Sequence, residues 1–391
     1  MKMATDSITN RRVLALGEKA HKFGRLLGHQ FAQRLRLDTG IRKGGNVLIY
    51  DPYLSTLGGG ERYIFALAAY LQQNCEVTIA GPVLPSLERL HHLGFQTQYR
   101  FEQIQFPFFS DSSQRYDAVI YLTNELPLPS LAKQSFLVVQ FPFPTSGRPL
   151  GDRLRRNIGL WSYGRCIVYS DFVRRWLRVR WHRDSTVLHP QVDLGALDCH
   201  EKERVILGVG RFFEGHHCKR HDILIEAYKL LPRVLRDSWR LVLAGGLSDM
   251  ESDLEYFNRL QVASTGHQVS FEPNVSQSRL LELYSQASLF WHATGFGRPD
   301  AEPEKAEHFG ITTVEAMSRG AVPMVYPDGG QVEIVTERVG LLWRTPEELA
   351  RLAENLIASP HRLDTLSRSA AEVGLRYGRD TFYESCRNVF G

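Results

Sequence analysis

Short apolar runs separated by stretches of helical length recur along this chain: NVLIY at 46–50, VTIA at 77–80, AVIYL at 118–122, FLVVQ at 136–140 and CIVYS at 166–170. Strand signals alternating with helix signals imply a parallel sheet covered by helices on both faces. The pattern restarts at RVILGVGR (204–211) and continues through RLVLAGG (240–246), LFWHA (289–293), AVPMVYP (321–327) and VGLLW (339–343), with the helical spacing of HDILIEAYKLL (221–231) near its start. A length of 391 residues accommodates two such units, each with its own core. The fold class expected is therefore α/β, with two Rossmann-like doubly wound domains facing a cleft. The boundaries read as an extension over 1–43, an N-terminal domain over 44–195, a C-terminal domain over 196–375 and a last helix over 376–391. Open α/β sheets bind ligands beyond the carboxyl ends of their strands, so functional residues are sought on the loops that follow the apolar runs.

Composition narrows the class. Hydrophobic residues make up 43% and charged residues 23%, as in an ordinary globular domain, which excludes disordered and collagen-like chains. No window carries about 18 uninterrupted apolar residues, so no spanning helix is expected. The five cysteines stand at scattered positions (Cys75, Cys166, Cys199, Cys218, Cys386), a pattern of reduced thiols in a cytoplasmic setting rather than of a metal cluster. Residues 1–43 hold ten Lys/Arg against three Asp/Glu, whereas the whole chain has a net charge of only +4. A basic leader thus precedes a nearly neutral body. Leu16, Ala20, Phe23, Leu27, Phe31 and Leu35 fall on one helical stripe of that leader, and RRWLRVRWHR (174–183) supplies a second basic, aromatic stretch with Trp176 and Trp181. Both segments suit either peripheral contact with an anionic membrane face or packing on the protein's own body. A neutral body argues against nucleic acid as a partner.

Three constellations carry chemistry. In LSTLGGGERYIF, Gly58, Gly59 and Gly60 precede a helix. Glycines there let backbone amides approach an anion at a positive helix terminus, although an ordinary turn explains them equally well. In GVGRFFEGHHCKRHDILIEA, Arg211 follows a strand and Lys219 precedes a helix, a pair of cations suited to a diphosphate, with two solvated surface charges as the plain alternative. His216 and His217 lack carboxylate or cysteine partners at ligand spacing and read as a polar loop, so no metal site is expected. The third is EHFGITTVEAMSRGAVPMVYPDGGQVEIV (307–335), where Glu307 and Glu315 flank a Phe-Gly step at a helix entrance. Carboxylates at that separation are too far apart to share one water as a hydrolytic pair does. They suit two hydroxyl-bearing groups of one extended ligand, with glycines where backbone meets it. A nucleotide sugar presents such groups, a ribose and a hexose joined through a diphosphate.

These residues resemble the retaining glycosyltransferases of family 4 (glycosyltransferase group 1), which have the GT-B fold. The resemblance spans about 44–391 and is carried by GGGER, by VGRF followed by KRHDILIEAY, by HFGITTVEAM and by GGQVEIV. The combination of YDPYLSTLGGGERYIFAL with EHFGITTVEAM is similar to mannosyltransferases that extend dolichol-linked oligosaccharides. The resemblance implies that Glu307, Arg211 and Lys219 form the catalytic set, with Glu307 at the transferred sugar and the two cations on the diphosphate. It implies that Glu315 holds the ribose, that Phe309, Gly310, Ile311 and Thr312 offer backbone to sugar and phosphate, and that Gly59 and Gly60 approach the donor from the N-terminal domain. Val275, in FEPNVSQ, is the candidate for base readout through backbone. The activity implied is metal-independent transfer of a hexose, with mannose from GDP-mannose as the specific expectation, to a glycan or lipid-linked acceptor, without a cofactor beyond the nucleotide-sugar co-substrate. Three departures stand out, the first being the inserted FEGHHC, which separates Arg211 and Lys219 by more residues than is usual. The insert GRPDAEPEKA (297–306) precedes Glu307, and Gln140 occupies a position where many relatives place histidine. A nucleotide-sugar epimerase or a non-catalytic sugar-nucleotide binder of the same fold is the alternative.

Overall fold

The structure is a computed structural model that describes residues 40–144, 157–193, 201–215 and 217–391. All but the last four residues of the basic leader lie outside the described residues, as do most of the domain junction and His216.

The first domain is a sheet of β1 (Asn46–Tyr50), β2 (Glu76–Gly81), β3 (Arg100–Gln103), β4 (Ala118–Thr123), β5 (Gln134–Val139), β6 (Arg165–Val168) and β7 (Thr186–Val187) in the order 3-2-1-4-5-6-7. The second contains β8 (Glu203–Val209), β9 (Arg240–Gly245), β10 (Val269–Pro273), β11 (Ala287–His292), β12 (Val322–Val325) and β13 (Leu341–Leu342) in the order 10-9-8-11-12-13. Every pairing is parallel. The central strands are buried on both faces, which is why they read as continuous apolar runs: all six residues of β4 and all six of β11 are buried.

Strand order reverses between β1 and β4 in the first sheet and between β8 and β11 in the second. Chain connections at such a point leave to opposite faces and open a crevice above the carboxyl ends. The loops bordering these crevices are 51–58 and 124–133 in the first domain, and 210–220 and 293–310 in the second.

The two cores are joined by the C-terminal helices. Helix Pro360–Leu375 packs against helix Ile311–Ser318 of the second domain. Helix Arg379–Phe390 then lies on the first domain, where Phe390 meets Phe136 of β5 and the Phe390 carbonyl accepts from the Ile41 amide at 2.7 Å. The Arg165 guanidinium also donates to the Val389 carbonyl. One apolar cluster accordingly runs from Val47 and Ile120 through Phe382 to Phe309 and Met317.

Candidate active site

The reversal point of the second sheet gathers the polar residues of the motifs. β8 delivers the loop that ends in Lys219, and β11 ends in His292 and leads into the loop that carries Glu307. Lys219 Nζ donates to Glu307 Oε2 at 2.5 Å, and His292 Nε2 stands 3.2 Å from the same oxygen. The pair is largely enclosed, with side-chain exposures of 19% for Lys219 and 13% for Glu307. Burial by itself raises a carboxyl pKa. Here the Lys219 charge and the hydrogen bonds from His292 and Lys219 outweigh it, and Glu307 is held well below the ordinary carboxylate range.

Glu307 is fixed from behind by backbone. Gly330 N donates to the Glu307 carbonyl at 2.7 Å, and Gly329 adopts φ 76. A Cβ on Gly329 would collide with the Glu307 carbonyl oxygen, and one on Gly330 with that of His308. This corrects part of the sequence reading: the Gly329–Gly330 pair makes room for the chain that carries Glu307, and the backbone it meets is the protein's own.

Helix Ile311–Ser318 begins at Gly310, which has φ 107. Phe309 is buried with its ring 5.5 Å from that of His189, Ile311 and Thr312 are half-buried, and the first amides of the helix have no carbonyl partner within it. Glu315 lies one turn inside. It is buried, its Oε2 accepts from the Tyr284 hydroxyl at 2.7 Å, and burial raises its pKa against the opposing charge of Arg62. Arg62 comes from GGGER in the other domain and donates to Gln277 Oε1 at 2.6 Å. Glu315 and Arg62 line an interdomain cavity of about 580 Å³ together with Phe95, Gln191, Asp193 and Tyr383.

The remaining predicted residues are placed as follows. Helix Gly59–Leu71 starts within the glycine run; Gly59 faces the Ile311 side chain, and the space a Cβ would need at Gly60 is taken by the Gln140 carboxamide. Gln140 accepts from Asn124 Nδ2 at 3.2 Å, so this position is a neutral amide held in a polar network. Arg211 is exposed, with its guanidinium 4.5 Å from the centre of the Phe213 ring, and among the described residues it forms no ion pair with Glu307. Val275 is half-buried between β10 and helix Gln277–Gln286. His217 departs from the polar-loop reading: its ring packs edge-on against His308 at 4.0 Å, Nδ1 sits 3.2 Å from the Ala306 carbonyl, and burial pushes its pKa down to about 4. No group of three His, Cys, Asp or Glu among the described residues is placed to hold a metal ion.

The basic stretch 174–183 is also packed. It belongs to helix Asp171–Trp181, Trp181 is buried with Nε1 donating to the Phe143 carbonyl, and Trp176 lies against Phe141. Arg180 pairs with Glu304 of the insert at 2.8 Å, both side chains 12% exposed. The stretch therefore buries both tryptophans at least in part and leaves Arg174, Arg175, Arg178, Val179 and His182 facing solvent.

Sequence reasoning missed His292, His308, Gln331 and Glu333. His308 stacks on Phe141 of the first domain at 4.5 Å, and its carbonyl accepts from Ser170 Oγ at 2.6 Å. Glu333 reaches across the cleft and takes the amides of Asp171 and Phe172 at 2.9 and 2.6 Å, capping helix Asp171–Trp181 with a carboxylate from the other domain. A histidine that closes the apolar run LFW was the available signal for His292. Nothing in sequence spacing signals a capping residue more than 160 positions away.

Residues 195–373, which make up most of the C-terminal domain, match the family model described as glycosyl transferases group 1. The chain is 26% identical over 216 residues to a Dictyostelium discoideum protein named GDP-Man:Man(3)GlcNAc(2)-PP-Dol alpha-1,2-mannosyltransferase, covering 51% of this chain and 40% of the relative. The Homo sapiens protein of the same name is 23% identical over 262 residues, covering 61% and 47%. This chain thus spans less than half the length of these curated relatives. Among solved structures, Anabaena HepE in complex with UDP and glucose superposes with a TM-score of 0.70 at 16% identity, covering 88% of this chain and 99% of that one. Sucrose-phosphate synthase from Thermosynechococcus elongatus superposes with a TM-score of 0.66 at 17% identity, covering 89% and 98%. The fold is GT-B.

Proposed function

We propose that this protein is a retaining glycosyltransferase that moves a hexose from a nucleotide-diphosphate sugar to a hydroxyl of a glycan or lipid-linked sugar. The observation that carries this reading is the convergence of Lys219, Glu307 and His292 on one point at the strand-order reversal of a domain of the glycosyl transferases group 1. Lys219 takes the diphosphate, aided by the helix N-terminus at Gly310–Thr312 and by Arg211. The Glu307 carboxylate receives hydroxyls of the transferred sugar, and Glu315 holds the ribose. In the transfer, the bond between the anomeric carbon and the diphosphate oxygen breaks while the acceptor oxygen bonds to the same face. The acceptor's proton passes to the departing diphosphate. A protein base is not needed for that step, which agrees with the non-titrating amide of Gln140. Lys219 and the helix amides would stabilise the charge that develops on the leaving group, so the reaction requires no metal.

Two relatives are named for transfer from GDP-Man, which supports GDP-mannose as the donor. The test is incubation with radiolabelled nucleotide sugars, GDP-mannose first, with and without a lipid-linked oligosaccharide acceptor and in the presence of chelator. The reading expects nucleoside diphosphate release that rises with acceptor and a product of unchanged anomeric configuration. An isomerised donor without release, or a stable complex without turnover, overturns it.

A further inference from the structure

The proposal above gives Glu307 a role but leaves open what aims its carboxylate. The side chains behind it form an ordered chain. His292, the last residue of β11, is buried and sits between Glu307 on one side and Gln331 on the other. Its Nδ1 is 3.0 Å from Gln331 Nε2 and 3.4 Å from the backbone nitrogen of Thr294. A backbone N–H can only donate, so Nδ1 is an acceptor and holds no proton. The Gln331 amide fits the same assignment: its Oε1 accepts from the Thr313 hydroxyl at 2.7 Å, which turns its NH₂ toward the imidazole. Burial lowers the pKa of His292, so the ring is neutral and carries one proton. That proton is on Nε2, which faces Glu307 Oε2 at 3.2 Å and the Thr294 hydroxyl at 3.3 Å.

We propose that His292 is a positioning residue for Glu307, held in its Nε2–H tautomer by Thr294 and Gln331 so that it always donates to the carboxylate. This inference rests on the reading of Glu307 as the sugar-side carboxylate. The consequence for Glu307 is specific. Both fixed donors, Lys219 and His292, converge on Oε2, which leaves Oε1 as the oxygen that receives a substrate hydroxyl. When a diphosphate draws Lys219 toward itself, the His292 bond remains and keeps the carboxylate in place. The arrangement also links two motifs that the sequence separates. Thr313 belongs to HFGITTVEAM and Gln331 to GGQVEIV, and both act on Glu307 through one imidazole. The charged and titratable groups that act on the ring are Glu307 and Lys219, and the ring's own charge would act in turn on His221, which is buried and neutral.

The direct test is long-range ¹⁵N–¹H NMR of the full-length protein, with the His292 signals assigned by their loss in His292→Gln. The expected pattern at neutral pH is an unprotonated Nδ1 and a protonated Nε2, with protonation displaced below the ordinary imidazole range. A proton on Nδ1, or an imidazolium at neutral pH, overturns the proposal. Gln331→Glu puts an acceptor beside Nδ1 and pulls a proton onto it, so His292 should begin to titrate in that range and transfer should acquire a new pH dependence. Gln331→Glu with an unchanged pH profile and unchanged His292 signals overturns the proposal as well. In kinetics, His292→Leu should lower kcat by about 10- to 100-fold, the usual cost of losing a group that supports a reacting one. His292→Gln, which keeps a donor near the Nε2 position, should recover most of that loss. Equal kcat in the Leu and Gln variants, each verified as folded by its circular dichroism, speaks against positioning. Because the tautomer is read without substrate, failure to detect sugar transfer would count against the proposed function and leave the tautomer result standing.

Discussion

Replacing Lys219 by methionine removes the cation that sets the state of Glu307 while keeping the apolar stem. Breaking a fully buried ion pair by deleting one partner costs about 3–5 kcal/mol, whereas exposed pairs contribute about 0–1 kcal/mol. The Lys219–Glu307 pair is mostly enclosed at a separation of 2.5 Å, and His292 still donates to the stranded carboxylate. The expected cost for Lys219→Met at pH 7 is therefore about 2–3 kcal/mol, between those limits. Glu307→Gln should cost less, because the lysine stem can turn its ammonium to solvent. The double variant Lys219→Met/Glu307→Gln should be more stable than the sum of the two losses predicts, with a coupling of about 1–2 kcal/mol. Urea unfolding followed by fluorescence reports on this, since buried Trp239, Trp291 and Trp343 all lie in the second domain. The pH dependence has a definite sign. Glu307 titrates below its unfolded value, so its contribution is present above the ordinary carboxylate range and is lost as pH falls through the folded value. The Lys219→Met penalty should shrink accordingly as the solution is acidified. Additive losses that do not change with pH would refute the assignment of Lys219 as the group that holds Glu307 ionised.

Further outcomes follow from other contacts. Glu307→Ala should leave the fold intact and reduce transfer by about 10²–10³, the usual effect of losing one preorganised electrostatic group, as read by nucleoside diphosphate release. Burial pushes His217 to about 4 and His221 to about 3, and it also lowers His292 and His308. His217 and His221 stay neutral in the folded state while the unfolded chain takes up protons, so stability present above about pH 6.5 should be lost as pH falls toward 4, by up to about 1.4 kcal/mol per pH unit for each of these two rings. Urea midpoints at pH 7, 6 and 5 should show that slope, and His217→Gln should reduce it. Glu333→Ala frees two helix amides from a carboxylate in the other domain and should cost about 1–3 kcal/mol, measurable as a lower unfolding midpoint. The basic leader predicts co-sedimentation with anionic liposomes at low salt, weakened by deletion of residues 1–43; full-length protein that stays in the supernatant would assign the leader another role.

Much of the architecture was legible because parallel strands buried on both faces leave continuous apolar runs, and the loops after such strands are where an open α/β sheet places ligands. Lys219 and Glu307 were accessible for that reason. Their contact with His292 was not, because it depends on β11 lying beside β8, a neighbour relation that residue spacing does not encode. The Gly329–Gly330 pair was recognised as a place of close backbone approach, but which backbone approaches is a tertiary fact. Trp176 and Trp181 show the converse limit. A basic aromatic stretch looks the same in sequence whether it meets a membrane or the protein's own core, and here Phe141 and Phe143 receive it.

Calorimetric titration of the protein with UDP, GDP, ADP and dTDP, each paired with its nucleoside and repeated on Lys219→Ala, bears most directly on the cleft as a nucleotide-sugar site. At least one diphosphate, with GDP expected, should bind more tightly than its nucleoside, and Lys219→Ala should remove about 1.5–3 kcal/mol of the diphosphate's affinity while leaving the nucleoside's unchanged. Absence of binding by all four diphosphates, or an equal loss for diphosphate and nucleoside, would contradict the account.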